Sequence, residues 1–258
     1  MPEGDTIHRA ANRIRPVLKD RVPEEIRMPQ QRHALDRWPQ RLDGRVIREV
    51  DAYGKHLFLR FEGDLVLHSH LGMTGAWAVY RKGERWRRGP HRAWLVIAVE
   101  DHDVVQFDGP TLELLTAQRV RSDPRLTALG PDILGEQFDE AEVIRRVRGE
   151  DPARGVGDTL LDQRVVAGIG NIWKSESCFG AAVDPWRACA ATSDQELLSI
   201  VRFARTHMAA SARDGFTARP RGVYNRAGKP CPRCGARTRS AGQGEQNRTT
   251  YWCPGCQR

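Results

Sequence analysis

Asp158-Thr-Leu-Leu-Asp-Gln-Arg-Val-Val-Ala-Gly-Ile-Gly-Asn171-Ile-Trp173 is the stretch on which the fold of this chain turns. A short helical run leads into Gly168-Ile-Gly170, and a second helix opens near Asn171. Glycines ahead of a helix start let backbone N–H groups approach an anion closely, and the helix dipole favours negative charge there. Asn171 adds a side-chain amide at the same spot. The pattern predicts a clamp for phosphate made of a helix, two turns and a helix. Taken alone, Gly-x-Gly-Asn also fits an ordinary glycine-capped turn.

Forty residues further on lies a strongly basic tail. Arg213–Arg258 hold ten Lys/Arg against two Asp/Glu, and the rest of the chain balances at 31 of each, so the net charge of +8 sits in this segment. Within it stand Cys231-Pro-Arg-Cys234 and, after eighteen residues, Cys253-Pro-Gly-Cys256. Two such knuckles each offer two thiolates from one tight turn, the pattern of a tetrahedral zinc site. Cys231, Cys234, Cys253 and Cys256 are therefore expected to hold one structural Zn2+. A pair of disulfides is the alternative, and the absence of a secretory signal weighs against it. A basic patch stiffened by a metal is suited to gripping phosphates.

The bulk numbers fit this picture. A length of 258 residues allows two domains, and 40% apolar residues support packed cores. The longest apolar run, Trp94-Leu-Val-Ile-Ala-Val99, is the size of a strand and far short of a membrane span. The N-terminus has no signal-like apolar stretch, so a cytoplasmic protein with reduced thiols is expected. Cys178 and Cys189 then read as small buried fillers. Arg81-Lys82-Gly-Glu-Arg85-Trp-Arg87-Arg88 reads as a mobile, solvated surface loop.

Hydrophobic spacing sets the organisation. Ile7, Ala10, Ala11, Ile14 and Leu18 share one face of a helix over 4–18. From about 22 to 116 come short β-rich runs, among them 46–50, 56–61, 65–70, 94–99 and 104–107, which suggest an antiparallel sandwich. Asp123-Pro124 and Gly130-Pro131-Asp132 punctuate a linker. Helices follow at 139–148, 157–163, 170–180 and 194–210. The fold class is α+β: an N-terminal β-sandwich with an N-terminal helix, then a helical bundle ending in a zinc-ribbon hairpin. The expected domains are 1–118, a linker at 119–137, a helical domain at 138–222 and the ribbon at 223–258.

The opening Met1-Pro2-Glu3 offers reactive groups. A small second residue permits removal of Met1, which would leave Pro2 as a free secondary amine. An α-amino group titrates near ~7.7–8, so roughly a third is neutral at pH 7.5, against about a thousandth of a lysine. Only the neutral amine attacks a carbonyl, which makes Pro2 a candidate Schiff-base nucleophile with Glu3 as general acid or base. Many chains begin with Pro-Glu, and the dipeptide alone says little.

Five motifs in one chain say more. Met1-Pro-Glu-Gly4, Gly54-Lys-His-Leu-Phe58, His70-Leu-Gly-Met-Thr-Gly75, the Leu161–Asn171 run and Tyr224-Asn-Arg-Ala-Gly-Lys-Pro-Cys231 occur in that order, followed by the second knuckle. Together they resemble the Fpg/Nei family of DNA glycosylases from residue 2 to residue 258, most closely its endonuclease VIII branch of actinobacterial type. The resemblance implies a β-sandwich, an H2TH bundle and a zinc hairpin around damaged DNA, duplex or single-stranded, with a flipped nucleotide. It implies a monomer of the bacterial nucleoid. It assigns Pro2 as the nucleophile at the sugar C1′, Glu3 as acid/base and Lys55 to the phosphate beside the lesion. Asn171 becomes the H2TH phosphate ligand, Arg248 the hairpin arginine tied to δ-elimination, and Met73 the wedge that fills the space of the flipped base.

The chain also departs from the family pattern. Position 6 is Thr6 where many members carry a second acid, and Asp103-Val-Val-Gln-Phe-Asp-Gly109 lacks the arginine of an Arg-x-Phe-Gly run. Ala128-Leu129 precede Gly130 where some endonuclease VIII proteins have an arginine. The expected activity is a bifunctional glycosylase/AP lyase of base excision repair acting on oxidised pyrimidines by β,δ-elimination. The alternatives are Fpg-type excision of oxidised purines, or a catalytically silent DNA-binding protein. The nucleophile can be tested directly. Protein that retains Met1, verified by mass spectrometry, is expected to give no borohydride-trapped adduct with an abasic oligonucleotide, because its Pro2 nitrogen is an amide. An adduct from such protein would show that Pro2 is not the nucleophile.

Overall fold

A computed structural model describes residues 2–30 and 36–258; Met1, whose removal the reading of Pro2 requires, lies outside the described residues. The chain divides into two compact units. Pro2 and Thr6–Thr127 belong to the first, Glu3–Asp5 and Ala128–Arg258 to the second.

In the first unit, helix α1 (Gly4–Leu18) runs on from the second unit's Gly4 and Asp5 and is followed, among the described residues, by eight strands. They are β1 (Glu25–Arg27), β2 (Ile47–Tyr53), β3 (His56–Phe61), β4 (Leu65–His70), β5 (Ala76–Arg81), β6 (Ala93–Val99), β7 (His102–Phe107) and β8 (Thr111–Thr116), with a short helix α2 (Trp38–Leu42) between β1 and β2. Two antiparallel sheets result, ordered β1-β6-β7-β5 and β2-β3-β4-β8. Alternation along β3 and β4 sends Leu57, Leu59 and Leu67 into a common core with Leu95, Ile97 and Val104 of the other sheet. The helix face read from the sequence, Ile7, Ala10, Ala11, Ile14 and Leu18, is buried in the same core. The result is a sandwich closed along one side by α1.

Thr111-Leu-Glu-Leu-Leu-Thr116 is rich in helix formers, yet it is a strand at the end of the β-rich stretch expected to about 116, and it pairs with all of β4, from Leu65↔Thr116 to His70↔Thr111. Other elements differ from the sequence reading. The loop 81–88 is not a free charge run. Trp86 packs against Tyr80 and edge-on to Phe107, Lys82 pairs with Glu24, and Arg88 reaches both Thr74 O and Asp108. The punctuated segment from 119 onward is also structured. Thr116 caps α3 (Ala117–Ser122), and Asp123 accepts from Arg125 N to start α4 (Pro124–Thr127).

The second unit is helical up to the ribbon. It holds α5 (Glu140–Arg148), α6 (Val156–Thr159), α7 (Asn171–Gly180) and α8 (Asp194–Asp214), then β9 (Arg239–Gln243) paired with β10 (Arg248–Trp252). Ser193 and Glu196 form a reciprocal capping box that starts α8. The helix expected over 157–163 is shorter, because local side chains compete for its backbone. Asp162 Oδ1 accepts from Arg164 N at 2.9 Å, and Gln163 bonds Leu161 O, Ile169 O and Gly168 N. Trp173, Val165, Val166 and Ile169 sit in one core with Leu197, Ile200 and Met208 of α8, so the turn between α6 and α7 is fixed from below. No helix among the described residues is long and apolar enough to cross a membrane.

Candidate nucleic-acid site and its metal centre

The site of the second unit is organised by the N-terminus of α7. Glu3 is fully buried, and its carboxylate accepts from Gly170 N (3.1 Å), Ile172 N (2.8 Å) and Trp173 N (3.2 Å). A Cβ at Gly170 would lie 2.4 Å from the Glu3 Cδ, so a side chain there would expel the carboxylate. Three N–H groups at the helix start that the sequence reading offered to an external phosphate are thus taken by the protein's own acid, an anion that the helix dipole also favours. Pro2, the residue before Glu3, is held within one peptide unit of this fixed point.

Asn171 opens α7, and its Nδ2 donates to Thr249 O at 2.7 Å, which uses one of its two amide N–H groups. Tyr251 N donates to Ser175 Oγ, and Lys174 Nζ donates to Thr250 Oγ1. These bonds lay β10 along α7, so Thr249, Thr250 and Tyr251 do more than fill the hairpin. Arg248, the first residue of β10, is exposed, with one long bond to Gln246 at 3.4 Å. Asn171 and Arg248 are therefore carried on directly bonded elements, one with an amide that also bonds the Tyr224 side chain and the other with an accessible guanidinium.

Beside them is a cavity of about 450 Å3 lined by Ile172, Phe216, Arg219, Arg221, Tyr224, Lys229 and neighbouring residues. Its wall is pinned twice. Glu176 of α7, buried, accepts from the backbone N–H of Gly222, Val223 and Tyr224. Arg219 grips the buried Asp5 carboxylate through Nε and Nη2 at 2.8 Å each, and Ser211 Oγ also donates to Asp5. Position 6 is a threonine, but the acid one residue earlier has a structural partner that the sequence reading did not foresee.

The four ribbon cysteines converge. Their Sγ atoms lie within 4.8 Å of one another, with Cys231–Cys256 at 3.8 Å and Cys234–Cys253 at 3.5 Å. A disulfide needs about 2.05 Å between sulfurs, so the thiols are unlinked. Tetrahedral zinc with ~2.3 Å bonds to sulfur requires sulfur pairs about 3.8 Å apart, and the set fits such an ion. Cys178 and Cys189 are buried away from it, and burial pushes the Cys178 thiol up to about 12. They are inert packing residues.

Lys55 and Met73 belong to the first unit. Tyr53 pairs with His56, so Gly54-Lys55 is a two-residue hairpin turn, and Gly54 takes the positive φ (56°) that lets the strands reverse. Lys55 stands at the tip. Met73 is 65% exposed on the loop after β4, and Arg88 holds the next residue, Thr74, by its carbonyl. A feature the sequence reading passed over lies on the outer face of β3 and β4. His56 Nδ1 lies 2.9 Å from His68 Nε2, and His68 Nδ1 lies 3.0 Å from Glu113 Oε2. The His70 ring lies tilted against His56, with centroids 5.0 Å apart. Strand alternation was the available signal, since His56, His68 and His70 fall on one face once β3 and β4 are paired. Burial first, then the charges of His68, His70, Arg125 and Lys55, push His56 down to about 3.

Comparison with known proteins now places the chain. Residues 1–112 match the Formamidopyrimidine-DNA glycosylase N-terminal domain, and residues 129–219 match the Formamidopyrimidine-DNA glycosylase H2TH domain. The chain belongs to this family. A probable endonuclease 8 2 of Streptomyces coelicolor is 40% identical over 100% of this chain and 94% of its own length. The DNA-(apurinic or apyrimidinic site) lyase Nei2 of Mycolicibacterium smegmatis is 37% identical over 100% and 99%. The Lactococcus lactis Fpg in complex with an N7-benzyl-Fapy-dG DNA superposes with a TM-score of 0.83 at 22% identity over all of both chains, which attests the fold.

The histidine cluster yields a testable stability effect. His56 is neutral when folded down to about pH 3 but takes a proton near ~6.5 when unfolded. The unfolded state therefore binds more protons in that window, and stability falls as pH drops from about 6.5 towards 3. Thermal melts of His56→Gln are expected to lose less Tm between pH 7 and pH 4.5 than the wild type. Equal losses would show that His56 does not contribute.

Proposed function

We propose that this protein is a bifunctional DNA glycosylase and AP lyase of base excision repair that excises oxidised pyrimidines and cuts the strand by β,δ-elimination. The observation that carries this reading is the triple anchoring of Glu3 at the start of α7, directly after Pro2. A nucleophile tethered to a rigid point loses little freedom when it attacks. With Met1 removed, the Pro2 amine adds to the sugar C1′, the damaged base leaves, and a Schiff base joins enzyme and DNA. The imine acidifies the neighbouring sugar proton. Loss of that proton expels the 3′ phosphate, and a second elimination expels the 5′ phosphate.

The other residues have matching parts. Asn171 and Arg248 present a neutral and a charged donor from bonded elements, suited to phosphates on either side of an extruded nucleotide. Lys55 at its hairpin tip contacts the phosphate beside the lesion, and exposed Met73 fills the gap in the stack. The basic cavity bounded by Arg219 and Tyr224 has room for one base. The names of the relatives and the lack of an Arg-x-Phe-Gly run favour pyrimidine lesions over the Fpg-type reading. The four cysteines would hold a zinc ion that supplies folding energy to the ribbon and no chemistry to the reaction. The protein would work as a monomer in the bacterial cytoplasm, on the nucleoid.

Two experiments test this. Cleavage of duplex and single-stranded oligonucleotides carrying defined lesions is expected to favour oxidised pyrimidines over 8-oxoguanine. Glu3→Gln is expected to lose excision by about two orders of magnitude or more while keeping part of the cleavage at preformed abasic sites. A preference for oxidised purines would overturn the substrate assignment, and equal loss on both substrates would reduce Glu3 to a structural cap. Separately, elemental analysis is expected to find one zinc per chain, and chelation to weaken DNA binding while the sandwich keeps its melting transition. Active protein without zinc would refute the metal assignment.

A further inference from the structure

Lys174 is the fourth residue of α7 and is completely buried. Buried lysines are rare and are normally paired with an acid. Among the described residues, its ammonium has a single hydrogen-bond partner, Thr250 Oγ1 at 2.5 Å. Thr250 passes its own proton to Gln243 Oε1 at 2.6 Å, and Gln243 Nε2 donates to Pro185 O at 2.7 Å. A one-way chain of donors thus runs from the first turn of α7 through both strands of the ribbon hairpin.

The charged and titratable groups around Lys174 do not pair with it. Glu3 is occupied by three backbone N–H groups, and Asp158 of α6 is held by Arg154 Nε at 2.6 Å. Cys178, one turn along α7, is a thiol that burial keeps protonated. Arg248 of β10 adds like charge. Burial first and Arg248 last lower the Lys174 ammonium to about 8, against the pull of Cys178, Asp158 and Glu3. What the group lacks is an acid bonded to it directly. Its two sequence neighbours across the helix–hairpin contact are Asn171, one turn earlier, and Arg248, two residues before Thr250.

We propose that Lys174 is a proton-coupled positioning residue, which takes up a proton when DNA phosphates dock at Asn171 and Arg248 and, once charged, holds the hairpin in register with α7. This rests on the DNA-binding function proposed above. Phosphate charge docked one helical turn from a poorly solvated amine favours its ammonium form. The free protein holds Lys174 part-protonated at pH 8, and the complex holds it fully protonated. The affinity therefore depends on pH with a definite sign. It is flat below about pH 7 and falls above about pH 8, approaching about tenfold per pH unit, until the bound lysine itself titrates.

Calorimetry on a duplex containing a non-cleavable abasic analogue, in two buffers of different ionisation heat, counts the protons. At pH 8 the wild type is expected to take up about half a proton from Lys174. Lys174→Arg stays charged and is expected to lose this uptake and to lose less affinity between pH 7 and pH 9 than the wild type. Lys174→Met is expected to bind weakly at both, with no uptake beyond the share of the Pro2 amine. The Pro2 amine titrates in the same range, and its contribution is common to all three proteins, so the difference between wild type and Lys174→Arg isolates the lysine. Tight binding by the wild type with no uptake, or equal uptake in Lys174→Arg, overturns the proposal without needing the methionine variant to fold. A wild type that does not bind the duplex at any pH overturns the DNA-binding function itself, and the inference with it.

Discussion

The three hydrogen bonds from Gly170, Ile172 and Trp173 to the Glu3 carboxylate are the constraint on which the rest of the site depends. They satisfy backbone donors that a helix start leaves open, and they bury an acid that would otherwise be costly to hide. They also fix the residue before it. Everything proposed for Pro2 follows from a chain end that cannot wander, because the next side chain is clamped by a helix dipole and by a glycine that leaves room for it.

The same helix carries the surrounding parts. Asn171 and Lys174 address the hairpin, Ser175 accepts from Tyr251, Glu176 gathers the N–H groups of residues 222–224, and Trp173 anchors the helix in the core. Five of the first six positions of α7 are thus committed to contacts on different sides. Glu176 is raised from its ordinary value by burial, against three opposing backbone hydrogen bonds. Such density of polar function on a buried helix explains its weak amphipathic pattern. Its polar residues face other parts of the protein, where partners replace water.

Much of this was legible in the sequence. The sandwich core and α1 follow from spacing, because Ile7 to Leu18 and the alternating leucines of β3 and β4 carry the periodicity of their elements. The four-cysteine cluster follows from a spacing that has few other uses. Less legible were features that depend on pairing between distant residues. Nothing local says that Asp5 meets Arg219, or that Glu3 occupies the helix start. The helix-forming residues of β8 are overridden by a neighbouring strand, and the three histidines form a cluster only after β3 and β4 are in register.

The separation between Glu3 and its partners has a consequence for biosynthesis. The carboxylate leaves the ribosome about 167 residues before Gly170, and sandwich strands that close early have no donors to offer it. Domains fold as they emerge, so a nascent chain can complete its first sheets while Glu3 is still untethered. Glu3 gains its anchor only after α7 has been made, and the hairpin that bonds to α7 is translated later still. The clamp around Glu3 is thereby withheld until both have been made.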